Sequence, residues 1–239
     1  LDISAVGNYT HEFGASALYF DGSSNISVAH GSNLNFGNNE FTIELWAKII
    51  FDPSHYYYYF GCFGNENTFG FKYYTNGSTH NIYVYNSNDG TIVQASCNLN
   101  DGEWHHIVFQ RHHIPFSGGT VTGNNAEEFF EIYFDGIRKV QTYHPQYYGK
   151  HVMRYDYNMN FTNTNYIIGT KENFAHPFKG YIDHYIITKD EAKYSGTSFE
   201  IDVDTIDKFV ALPPLPNNYT GKFKINQGAT DPTIELSGN

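Results

Sequence analysis

At 239 residues and 27.3 kDa the chain suits one large all-β domain better than two ordinary ones, since β-sandwiches often run to roughly 200–250 residues. Twenty-one Tyr and 20 Phe against two Trp and two Met, with 22 Gly and 16% charged residues, describe strands and turns rather than helices. A net charge of −11 repels phosphate backbones and argues against a nucleic-acid partner, and no apolar run approaches the roughly 18 residues that a membrane-spanning helix needs.

In chain order, Leu1 opens without a basic stretch leading into an apolar run, which points to a processed or excised piece. "ALYF" is followed by "DGSS", then "NISVAH" by "GSNLNFGNN", giving strand, turn, strand and loop. Residues 41–49, "FTIELWAKI", alternate strictly: Phe41, Ile43, Leu45, Ala47 and Ile49 share one face, and Thr42, Glu44, Trp46 and Lys48 the other. Similar runs follow at 56–63, 69–74, 81–86, 91–96, 104–110, 128–134, 137–142, 165–169 and 180–188. Asp135-Gly136, between two such runs, is a strong hairpin signal, and "DEAKY" at 190–194 suggests one helical turn. So many short strands with almost no helical period predict an antiparallel β-sandwich over residues 1–210. Residues 211–239 then read as a proline-rich linker, "ALPPLPNNYTG", and a C-terminal extension that either packs back as a strand or begins another module.

Few residues carry chemistry. Cys62 and Cys97 fit no common zinc spacing and are expected as free, half-buried thiols, with one bridge between neighbouring strands as the alternative. His105-His106 and His112-His113 are adjacent pairs, and adjacent strand residues face opposite ways, so neither pair chelates one ion. No nucleophile elbow, phosphate loop or dinucleotide fingerprint is present. The aromatic stretches "DPSHYYYYFG" at 52–61 and "TYHPQYYGKHVMRYDYNMNF" at 142–161 are more informative. A Tyr ring offers a flat apolar face with a hydroxyl at its rim, which suits sugar rings, so Tyr57, Tyr58, Tyr147, Tyr148 and Tyr155 are the candidate ligand-binding residues. Alternation within Tyr56–Tyr59 leaves half of that run as ordinary core. The insert at 112–128 is a further place for binding specificity.

Five phrases, from "FGASALYFDGSSNISVAHGSNLNFGNNEFTIELWAKI" through "DGEWHHIVFQR", "FEIYFDGIRK" and "YIIGTKE" to "FKGYIDHYIITKDEAKYSGTSF", resemble in order the laminin G-like, concanavalin A-like jelly roll. The likeness covers about residues 13–199 and is strongest to modules of phage and other viral structural proteins. It implies a non-catalytic recognition module on a virion or other extracellular surface, with a cell-surface glycan or host receptor as partner. The alternative it leaves is an assembly module packed against sister subunits of a homo-oligomer. It also implies a structural calcium ion where the early "FDG" turn meets the late "G-x-I-D" strand, held by the carboxylates of Asp21 and Asp183 with turn carbonyls near Gly22 and Asn25. The plain alternative is that Asp21 caps its own turn and Asp183 accepts a backbone hydrogen bond. The string Glu200-Ile201-Asp202-Val203-Asp204 is similar to the E-I-D-x-E motif of retaining glucanases of this fold. It falls after the last recognisable sandwich strand, and Asp204 is one methylene short of the acid/base Glu, so hydrolysis is not expected. Its acids are expected to be solvated or to pair with Lys189, Lys193 or Lys208.

Overall fold

The computed structural model describes residues 17–29, 31–37, 39–63, 69–86, 90–114, 127–143, 164–171, 176–201 and 234–237. Two antiparallel sheets face each other. The six-stranded sheet runs in the order β1 (Leu18–Asp21), β12 (Lys179–Lys189), β3 (Phe41–Ile49), β8 (His105–Ile114), β9 (Glu127–Phe134) and β10 (Ile137–Tyr143). The seven-stranded sheet runs β13 (Ile234–Ser237), β2 (Asn25–Val28), β11 (Tyr166–Ile168), β4 (Tyr57–Phe63), β5 (Phe69–Thr75), β6 (His80–Asn86) and β7 (Gly90–Ser96). Every expected strand is found, most within a residue or two. β13 takes the edge beside β2, with Ile234 opposite Val28; the rest of the extension expected at 211–239 lies outside the described residues.

Alternation explains the core. Phe41, Ile43, Leu45, Ala47 and Ile49 of β3 are all buried on the face that meets the other sheet, as are Ile107 and Phe109 of β8, Phe130 and Ile132 of β9, and Phe69, Phe71 and Tyr73 of β5. The rings interlock: Phe109 lies 5.5 Å from both Phe41 and Phe69, 5.6 Å from Phe130 and 5.9 Å from Phe71. Arg111, on the same face of β8, is wholly buried; its guanidinium donates to the carbonyls of Gly37 and Asn39, and stands 5.2 Å from the Phe41 ring. A buried cation donating to these carbonyls ties Gly37 and Asn39 to the sandwich.

Asp135-Gly136 makes the β9–β10 turn, both in the left-handed region at φ 51° and 71°, as a two-residue hairpin with matching twist requires. Cys62 and Cys97 are buried and form no disulfide, and the Cys62 thiol donates to the Thr170 carbonyl at 3.3 Å. The "DEAKY" segment is not helical: residues 191–195 hold no regular secondary structure. Its polar groups are taken by the sheet beneath, with Lys193 N–H donating to Thr42 Oγ1 at 3.0 Å and Thr42 Oγ1 donating to the Glu191 carbonyl at 2.9 Å. β8 and β9 reach Ile114 and Glu127, so the two ends of the insert expected at 112–128 are strand, and residues 115–126 lie outside the described residues.

Phe109→Ala should cost about 3–5 kcal/mol in chemical denaturation, since it empties the point where four rings from both sheets meet. A loss under about 1 kcal/mol would contradict this packing.

Candidate functional site

A sandwich has two outer faces, and in this chain they differ. The outer face of the six-stranded sheet is covered by residues 191–201, which cross it as a strap. Phe199 N–H donates to the Gly136 carbonyl at 2.8 Å, Arg138 N–H to the Thr197 carbonyl at 2.9 Å, and Tyr133 Oη to the Gly196 carbonyl at 3.0 Å. Gly136 is needed for this approach, because a Cβ there would stand 2.5 Å from the Phe199 carbonyl oxygen. The Tyr194 and Phe199 rings stack at 3.8 Å, and both lie near His106.

Beneath the strap sit two buried carboxylates. Glu44 receives hydrogen bonds from the Lys193 ammonium and the Tyr194 hydroxyl, and His106 Nε2 lies 3.7 Å away. Burial alone would raise its carboxyl; His106, Lys193 and Tyr194 outweigh that and hold it at about 2. Glu131 accepts from Gln110 at 2.8 Å and Arg138 at 2.8 Å and meets His112 at 2.9 Å. Here too the partners outweigh burial and lower the carboxyl. Glu44 faces Val108 and Glu131 faces Gln110. The two backbones are therefore two strands and two positions apart, about 12 Å. Glu200 is exposed, on the strap and on no strand. The "EIDVD" string thus begins in an exit segment, as expected; Asp202, Asp204 and Lys208 lie outside the described residues. Lys193 serves Glu44, and Lys189 donates to the Ser32 carbonyl at 3.1 Å.

The outer face of the seven-stranded sheet is an aromatic platform. Outward positions are Tyr57 and Tyr59 on β4, Lys72 and Tyr74 on β5, and Asn81, Tyr83 and Tyr85 on β6; the register sets Tyr57 against Tyr74, Tyr59 against Lys72, and Lys72 against Tyr83. Gly70 leaves the space that the Tyr85 ring fills, for a Cβ there would meet it at 2.2 Å. Tyr57 and Tyr74 lie 5.0 Å apart, Tyr74 and Tyr83 6.2 Å, and His176 stacks on Tyr59 at 6.0 Å. Tyr57, Tyr74, Tyr83 and Tyr85 are half-buried, while Gln94 and Ser96 of β7 are exposed at the margin.

Of the expected ligand residues that are described, Tyr57 stands on this platform. Tyr58 is corrected to the core: it is 0% exposed, and its hydroxyl accepts from Asp52 N–H at 2.7 Å, because alternation turns it inward between Tyr57 and Tyr59. Tyr147, Tyr148 and Tyr155 lie outside the described residues. Lys72, Tyr74, Tyr83, Tyr85 and His176 were not singled out by sequence reasoning, although the outward half of "FGFKYYT" and "HNIYVYN" carries all but the last.

The expected calcium ligands are not brought together. Asp21 faces Lys179 and Asp183 faces Trp46, which sets them four residues apart along β12, about 13 Å, whereas one ion needs its oxygens at about 2.3–2.6 Å. The Asp21 carboxylate instead closes its own turn, accepting from the N–H of Ser23 at 2.7 Å and of Ser24 at 2.9 Å; the Ser23 N–H leads the contacts that lower it to about 2. Asp183 accepts from His184 N–H at 2.8 Å, in a bulge where His184 has φ 44°. Gly22, at φ 92°, and the buried Asn25 belong to the Asp21 turn and the β2 start. These residues do not fit a shared calcium ion. Among the described residues no group of three or more His, Cys, Asp or Glu is placed to hold a metal.

The laminin G family model described as the concanavalin A-like lectin/glucanases superfamily matches residues 20–192. No curated protein matches the chain in sequence. Among solved structures, it is similar to the CBM40 of the Ruminococcus gnavus IT-sialidase bound to alpha2,3 sialyllactose, at 10% identity and TM-score 0.44 over 72% of this chain and 89% of that one. It is also similar to domain 4 of AbnA, an extracellular arabinanase of Geobacillus stearothermophilus, in complex with arabinotriose, at 18% identity and TM-score 0.45 over 80% and 76%. A third is tailspike protein 2 of Escherichia coli O157:H7 bacteriophage CAB120, at 12% identity and TM-score 0.42 over 90% of this chain and 30% of that one. At such identities no residue role transfers.

Because the folded Glu44 carboxyl lies below its ordinary 4.5, the stability it contributes is present above that value and lost as pH falls toward about 2. Glu44→Gln should therefore destabilise at pH 7 by up to about 3 kcal/mol, with the gap to the parent closing between about pH 4.5 and 2, and hydrogen exchange over 191–201 should rise. An equal gap at both pH values would show that the carboxylate's charge does not hold the strap.

Proposed function

The chain belongs to the concanavalin A-like lectin/glucanases superfamily, and from that premise we propose that it is a non-catalytic carbohydrate-binding module whose ligand lies on the outer face of β4, β5 and β6. The observation that carries this is the cluster of half-buried Tyr57, Tyr74 and Tyr83 rings with Asn81 beside Tyr83 on β6 and Gln94 at the margin. Pyranose rings present C–H faces to such rings and hydroxyls to the phenol and amide groups around them. Rings packed against one another are held in place before a ligand arrives, which limits the ordering cost of binding. The non-catalytic part is supported by the state of Glu44 and Glu131. Both carboxyls are lowered and fully partnered beneath the strap, so neither serves as the protonated acid that glycoside cleavage needs.

Carriage on a virion or other extracellular surface, with a cell-surface glycan or host receptor as partner, is the finer part of the proposal. It rests on the resemblance of the closing "DEAKYSGTSF" segment to viral structural modules. A chain that behaves as an oligomer by light scattering and binds no glycan would instead be an assembly module.

On a glycan array the parent should bind at least one oligosaccharide class above background and release no reducing sugar from it. Tyr57→Ala and Tyr83→Ala should each weaken that binding about tenfold, or about 1.4 kcal/mol, with the melting midpoint little changed. Unchanged affinity in both variants would place the ligand elsewhere.

A further inference from the structure

Lys72 projects from the middle of the tyrosine platform. Its Nζ lies 4.3 Å from the Tyr85 ring centroid, 4.5 Å from Tyr57, 5.4 Å from Tyr59 and 6.0 Å from Tyr83. Among the described residues no carboxylate forms an ion pair with Lys72 or Lys171, whereas Lys179 meets Asp52 at 3.5 Å and Lys193 pairs with Glu44. Lys171 is near enough for its charge to act on both Lys72 and His176. In a chain of net charge −11 this is a local reversal of sign on the very face that offers stacking rings.

We propose that this face selects an anionic sugar, with a carboxylate or sulfate group seated against the Lys72 and Lys171 ammonium groups while the sugar ring lies on Tyr57 or Tyr83. This rests on the carbohydrate-binding reading above and narrows it to a ligand class. Ring electrons hold Lys72 in place but do not neutralise it. An anion arriving there forms a charge-assisted hydrogen bond with a donor already stripped of part of its water. A neutral sugar leaves that ammonium partly desolvated and without a counter-charge.

The site also has a pH signature. Burial, aided by Lys171, pushes the Lys72 ammonium down to about 8. The groups facing it are Tyr57 and Tyr59 from β4, Tyr83 and Tyr85 from β6, and Lys171 and His176 from the connection after β11, with His55 acting on His176. Burial pushes Tyr59 up to about 12, and burial with the Lys171, Lys72 and His55 charges lowers His176 below its ordinary 6.5. Neither therefore changes charge between pH 7 and 9.5. Lys72 does, so anion affinity should fall as pH rises through about 8.

The test is titration calorimetry of the full chain with uronic-acid- and sialic-acid-terminated oligosaccharides, sulfated oligosaccharides, and the carboxyl-reduced or desulfated counterpart of each. The expected result is binding to one anionic set at least about tenfold tighter than to its neutral counterpart, weakening between pH 7 and 9.5. Lys72→Gln should remove that preference without lowering the melting midpoint, and Lys171→Gln should reduce it. Which set binds separates carboxylate from sulfate. Equal affinity for anionic and neutral partners, or a preference that survives Lys72→Gln, overturns the inference and leaves a neutral-sugar module standing. No binding to any oligosaccharide overturns the carbohydrate reading as well.

Discussion

The contact on which the rest of the molecule depends is the meeting of Phe109 with rings from both sheets. Phe41 and Phe130 stand beside it in the six-stranded sheet, and Phe69 and Phe71 come from the seven-stranded one, all within 5.9 Å. Once those positions point inward, the two-residue period of a strand dictates what points outward. Burying Phe41 and Ile43 sends Glu44 and Trp46 to one outer face. Burying Phe71 and Tyr73 sends Lys72 and Tyr74 to the other. The chemistry available to this protein is set by that choice of phase.

The two outer faces then meet different fates. On one, the strap at 191–201 satisfies Glu44 with Lys193 and Tyr194, and the Tyr194 and Phe199 rings shield it. Buried carboxylates held by several hydrogen-bonding partners order the structure around them. On the other, among the described residues, nothing covers β5 and β6, and their tyrosines remain half exposed around Lys72. On the proposed reading the strapped face is structural and the tyrosine face binds.

The strands were legible because the inward half of each is apolar and the turns carry Gly, Asn and Asp: "FTIELWAKI" gives β3 to the residue, and Asp135-Gly136 gives its hairpin. The course of 190–194 was not legible, since "DEAKY" has helical composition and its irregular path is tied to Glu44, 149 residues from Lys193 in sequence. Tyr58 was misplaced because four consecutive tyrosines give no hint of phase on their own; Asp52, which takes its hydroxyl, belongs to the preceding loop. The separation of Asp21 from Asp183 depends on how β1 slides against β12, and register is invisible until both strands are paired. The platform was half legible. A lysine amid "FGFKYYT" marks the outward phase of β5, but its convergence with Tyr57, Tyr83 and Tyr85 needs the order β4-β5-β6.

Backbone amide shift mapping during titration with the tightest-binding oligosaccharide tests the central claim most directly, because it reports on every strand at once. The account predicts perturbations concentrated on β4, β5 and β6 around Tyr57, Lys72 and Tyr83, with the strap at 191–201 and the amides near Glu44 and Glu131 unmoved. Perturbations concentrated on the strap and on β3, β8 and β9, with β5 silent, would contradict it.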